Sequence, residues 1–103
     1  MKTAESNRLI AEFMGAKKRE KYFDTRPVEY LINNYWTAPG NLKYHTSWDW
    51  QIPAWSKAIQ EYDLPRKSVY KTRYAVATAM NDIGLGFQIL VELITEINQN
   101  KQP

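Results

Sequence analysis

The stretch from Leu85 to Asn98 constrains the fold of this chain more than any other. Phe87, Leu90, Val91, Ile94 and Ile97 fall on one arc of a helical wheel, and Ile89 and Leu93 widen that arc beyond a single stripe. A helix apolar over so wide a sector has to be covered on several sides, so it is expected to be the central packing element. What covers it is the rest of a 103-residue chain. A chain of that length buries only about two-thirds of its extended surface, which leaves room for one modest core and a single domain over residues 1 to 103.

The covering elements follow from local pattern. Residues 3 to 14 pair Leu9 with Phe13 and Ile10 with Met14 at i,i+4, with Thr3 or Ser6 as N-cap and Gly15 in the C′ position, which predicts a short helix. Residues 16 to 27 have no sustained period and read as a charged connector. Val28, Tyr30, Ile32 and Trp36 then fall on even positions, and Pro39 and Gly40 fit the two centres of a type II turn before Leu42 and Tyr44, so a β-hairpin is expected over 28 to 45. Asn33 and Asn34 are the only interruption within its first strand.

Trp48, Ile52, Trp55, Ile59 and Tyr62 are spaced 4, 3, 4, 3, which predicts a core-facing helix over 47 to 62 capped by Thr46 with Asp49 at N3, and kinked near Pro53. Leu64 and Pro65 break the chain. Residues 66 to 80 mix β-branched residues with a Tyr70/Tyr74/Ala77 helical spacing and are read as a third helix. The last helix covers 85 to 98. The expected fold is α+β and mostly helical, about four helices packed with one hairpin.

Composition narrows the setting. With 44% hydrophobic and 24% charged residues the chain lies outside the regime that stays disordered. No cysteine is present, so there is no disulfide framework and no thiolate metal site, and the opening MKTAESNRLIAEF lacks the apolar run of a signal peptide. A cytoplasmic protein with no membrane span is expected. Aromatic residues reach 14%, with four Trp and seven Tyr, more than so small a core can hide; exposed Tyr and Trp are enriched at the energetic centres of interfaces. Tyr35, Trp36 and Trp50 are the candidates, Trp50 foremost because it falls off the 48/52/55/59/62 face; the even alternative is that they cover the core from the sheet side.

Net charge is only +3, but the cations cluster: Lys17, Lys18, Arg19 and Lys21 form one group, and Arg66, Lys67, Lys71 and Arg73 another, together more than half of the 14 basic residues. The second group lies near a helix N-terminus, where the macrodipole disfavours cations. With Tyr70 and Tyr74 interleaved it suits phosphates and a stacked base, or an acidic protein patch. A solvated helix face is the plainer alternative. His45, Ser47 and Asp49 lie too close together in sequence to converge as a triad; Ser47 and Asp49 are read as helix-capping residues and His45 as a partly buried polar aromatic. One histidine and no cysteine leave no metal-ligand spacing, and Gly84-Leu85-Gly86 lacks the third glycine and the lysine of a phosphate loop, so no catalytic residue, metal or cofactor is expected.

Three segments carry a family resemblance: LIAEFMG from Leu9 to Gly15; YHTSWDW from Tyr44 to Trp50, with Pro53 and Lys57 beyond it; and the terminal ELITEIN from Glu92 to Asn98. Together these resemble a family of small proteins of phages and mobile elements, with YHTSWDW the most specific part. The family pattern has an apolar residue after SWDW and a further strand before the last helix, where this chain has Gln51 and the basic segment 66 to 80. The resemblance implies a phage accessory protein of the host cytoplasm. By analogy with other small phage accessory proteins it implies an inhibitor of host immunity of the anti-CRISPR kind. A mimic of DNA would be acidic, so a basic inhibitor has to grip the effector protein or its guide RNA; the narrowest expectation is an RNA-guided, RNA-cleaving effector of the type VI kind. The alternative is a nucleic-acid-binding accessory protein using the same residues.

Overall fold

A computed structural model describes residues 3–20, 28–32, 34–62, 64 and 66–100. Helix α1 (Thr3–Phe13) is followed by three short strands, β1 (Lys18–Glu20), β2 (Val28–Ile32) and β3 (Tyr35–Thr37), a 3-10 turn at Pro39–Asn41, and helices α2 (Trp48–Glu61), α3 (Lys67–Ala79) and α4 (Ile83–Asn100). The fold is α+β and mostly helical, and each of the four helices lies where its periodicity placed it.

Helix α4 is central, as its wide apolar arc requires: it packs against α1, α2 and α3. Ile89, Leu90, Leu93, Ile94 and Ile97 are essentially inaccessible, each contributing about 1.5–3 kcal/mol by burial. Helix α1 ends in a Schellman motif. Gly15 sits at φ 76°, its N–H reaches the Glu12 carbonyl at 3.0 Å, and the Ala16 N–H reaches the Ala11 carbonyl at 3.1 Å. Helix α3 ends the same way around Asn81 at φ 53°, with Asn81 N–H on Thr78 and Asp82 N–H on Ala77. Asp82 then starts the next helix, its carboxylate accepting the Leu85 N–H at 3.0 Å. Three residues thus close α3 and open α4.

The central line of α2 is shifted from the expected one. Gln51, Ala54 and Ala58 are its buried residues, Trp48, Trp55, Ile59 and Tyr62 pack partly buried to one side, and Ile52 is 46% exposed. The reason is helix proximity. A Cβ on Gly86 of α4 would lie 2.9 Å from both Gln51 Oε1 and Trp48 Cζ3, so Gln51 and the edge of the Trp48 ring fill the α2–α4 crossing and leave no room there for a further side chain. Helix α2 runs unbroken through Pro53 from Trp48 to Glu61, and its N-cap is Ser47, without a side-chain capping bond, instead of Thr46.

The three strands form an antiparallel sheet in the order β1-β2-β3. Its hairpin reverses earlier than expected. Ile32 pairs directly with Tyr35, and Asn34 takes φ 70°, as a two-residue hairpin turn demands. Pro39–Asn41 forms the 3-10 turn instead, because a Pro-Gly turn of the unprimed type opposes the twist of paired strands. Leu42 and Tyr44 are buried without belonging to a strand. β1 arises within the segment read as a connector; three residues are too few to show a period.

Candidate interaction surface

The sheet has an inner and an outer face. Tyr30 points inward and is fully buried, and Ile32 packs against the core beside it. The register sets Arg19 opposite Glu29 and Leu31 opposite Trp36, so these four share the outer face. There the Arg19 guanidinium lies 4.2 Å from the Trp36 ring centroid while Nη2 and Nε donate to one Glu29 oxygen at 3.0 and 3.2 Å. The arginine is therefore held between a carboxylate and an indole that remains 38% exposed. Tyr35, at the end of the hairpin, is 75% exposed.

Of the other cations in the first cluster, Lys17 is exposed, and Lys18 makes a solvent-exposed pair with Glu12 at 3.5 Å that contributes little. Lys21 lies outside the described residues. Trp50 does not join this surface. It packs edge-on against Tyr44 at 5.1 Å and, with Met14, Ile32, Asp49 and Pro53, lines a shallow depression.

The second cluster is split by α3. Arg66 and Lys71 are exposed and Lys67 half-exposed, and none has an acidic partner among the described residues, although Arg66 lies 6.0 Å above the Tyr70 ring. Arg73 pairs with Glu92 of α4 at 2.8 Å. Tyr70 and Tyr74 belong to the core, which corrects their expected place on the binding surface: they are 5% and 3% exposed. The Tyr70 hydroxyl donates to Glu96, and the Tyr74 ring stacks on Trp55 at 4.0 Å with its hydroxyl donating to Gln51 Oε1 at 2.9 Å. Burial pushes both phenols up to about 12, aided at Tyr70 by the bond to Glu96. The i,i+4,i+7 spacing of Tyr70, Tyr74 and Ala77 marks the inward face of α3; the basic neighbours were a misleading guide to exposure. The same wheel turns Val69, Val76 and Met80 outward, and the sequence reading passed over them.

Two buried polar residues complete the picture. Gln51 is fully buried and hydrogen-bonded through both ends of its amide: besides accepting from Tyr74, its Nε2 donates to the Tyr44 carbonyl at 2.7 Å and to the Ile83 carbonyl at 3.1 Å. Asn7 Nδ2 lies 2.9 Å from His45 Nδ1, while its buried Oδ1 has no partner. His45 also meets Phe87 edge-on at 5.9 Å. Asn7 thus occupies the Nδ1 that a triad would use. Among the described residues no group of three or more His, Asp or Glu is placed to hold a metal ion, and no helix is long and apolar enough to cross a membrane. No family model, no curated protein and no solved structure matches this chain.

Proposed function

We propose that this chain is a stoichiometric inhibitor of a host defence effector, an RNA-guided nuclease of the type VI kind, carried by a phage or mobile element and acting in the host cytoplasm by binding. The observation that supports this reading is the start of α3. Arg66 occupies its N-cap with no side-chain capping bond, no acid stands in its first turn, and Lys67 and Lys71 follow within two turns. Arg66 and Lys67 each oppose the helix dipole by about 0.3–1 kcal/mol, and neither has an acidic partner among the described residues to offset it. A partner that supplies the missing negative charge gives those residues a purpose. Arg19 and Trp36 add a second contact surface, already ordered by their mutual stacking.

A tagged pull-down from nuclease-treated lysate of a host carrying its defence systems tests the reading. One effector recovered in near-stoichiometric amount is the expected result, lost when Arg66, Lys67, Lys71 and Arg73 are all changed to Glu. Unchanged recovery with that variant removes α3 from the interface.

The outer sheet face favours a second reading, binding to single-stranded nucleic acid, because Arg19 and Trp36 offer a cation and a stacking ring side by side. That reading requires affinity to fall with salt, by about 0.7 in log K per log salt for each phosphate neutralised. Salt-insensitive or absent RNA binding rules it out.

A further inference from the structure

A solvent-facing helix of a small protein ordinarily carries charge on its outer face. Helix α3 does not. Opposite the buried Tyr70, Tyr74 and Ala77, the exposed residues Ser68, Thr72, Ala75 and Ala79 form a row of small side chains. Beside that row stand Val69, Val76 and Met80, exposed by 44, 48 and 67%. Two threonine hydroxyls are bonded within the helix. Thr72 donates back to the Ser68 carbonyl at 3.0 Å and Thr78 to the Ala75 carbonyl at 2.9 Å, so their donors are occupied within the helix. Charge appears only at the borders, Lys67 and Lys71 on one side, Arg66 and Arg73 on the other.

We infer that this face docks one α-helix of a partner protein, a helix with a small apolar centre and acidic residues along both edges. The inference rests on the reading of the chain as a protein-binding inhibitor and names the element it recognises. Small side chains let two helix axes approach to about 8 Å, Val69, Val76 and Met80 supply the apolar contact, and acidic edges meet Arg66, Lys67 and Lys71, Arg73 being already paired with Glu92. A second copy docking by the same face fits badly, since residues 65–80 hold no acid and two such faces set cation against cation. Nucleic acid fits badly as well. The centre has no cation for phosphates, and the tyrosines that could stack a base are buried.

The test places a photoreactive benzoylphenylalanine at Val76 in one variant of the whole chain and at Tyr35 in another, cross-links both in cells carrying the susceptible defence system, and sequences the adducts. The expected adduct from Val76 is a protein helix with Asp or Glu along its edges. Its yield falls about tenfold when Arg66→Glu, Lys67→Glu and Lys71→Glu are added, with circular dichroism showing the fold intact. Adducts from Val76 to nucleic acid, to another copy of the chain or to a helix without acidic edges overturn the inference, as does an unchanged yield in the charge-reversed chain. Protein adducts from Tyr35 with none from Val76 overturn this face alone and leave the inhibitor reading standing. No protein adduct from either site overturns both.

Discussion

Tyr74 joins three kinds of contact in one side chain: a stack on Trp55, an edge contact with Trp48 and a donated hydrogen bond to Gln51. Tyr74→Phe keeps both ring contacts and leaves Gln51 Oε1 buried without a donor, so urea unfolding is expected to show a loss of about 1–3 kcal/mol. The phenol also sets a pH dependence. Its folded value of about 12 lies above the value near 10 of an unfolded tyrosine, so between these limits the folded state holds a proton that the unfolded chain has released. Stability present below about pH 10 is therefore lost as pH rises toward 12. Tyr74→Phe flattens that decline without abolishing it, because Tyr70 is raised in the same way; urea midpoints measured from pH 9 to 12 check the slope. Little of this was legible beforehand. Gln51 stood out only as a polar residue directly after SWDW, and a periodicity built on Trp48, Ile52 and Trp55 could not place an amide at the centre of the helix. Trp36 and Arg19 were separately legible as an aromatic and a cation, but only strand register brings them together.

At the scale of elements, helices were legible and turns were not. An apolar arc survives any detail of what packs on it, which is why α4 and α1 lie where their patterns put them. The hairpin turn depended on choosing between Pro39-Gly40, rich in turn-forming residues, and Asn33-Asn34, whose fit to paired strands is a matter of twist. The junction of α3 and α4 makes a sharper test. Asn81 supplies a left-handed backbone and accepts the Trp48 indole N–H at 2.9 Å. Asn81→Gly keeps the first and loses the second, at about 0.5–1.5 kcal/mol; Asn81→Ala loses both and is expected to be worse by about a further 1–2 kcal/mol in thermal unfolding. Gly86→Ala is the opposite kind of change. Alanine gains about 1 kcal/mol as a helix former, yet its methyl meets Gln51 and Trp48 at 2.9 Å, and overpacking of about 1–3 kcal/mol makes a lower melting temperature the expected outcome.

For the molecule as a whole, stability and binding should move in opposite directions at one place. Lys67→Glu puts an acid in the first turn, where the α3 dipole favours it, so the melting temperature of the Lys67→Glu, Lys71→Glu variant rises by the equivalent of about 0.3–1 kcal/mol, while capture of the effector is lost. A variant that melts lower and still binds contradicts both the helix argument and the interface. The core carries a different lesson about the whole. Gln51 draws its partners from positions 44, 74 and 83: the segment before α2, helix α3 and the start of α4. Its amide can leave water without penalty only when all three have arrived, so a half-assembled chain with α2 on α4 but α3 still loose strands a polar group in an apolar seam. That single glutamine works as a latch: a partly built state that leaves its amide oxygen without a donor is penalised by about 1–3 kcal/mol relative to the closed one.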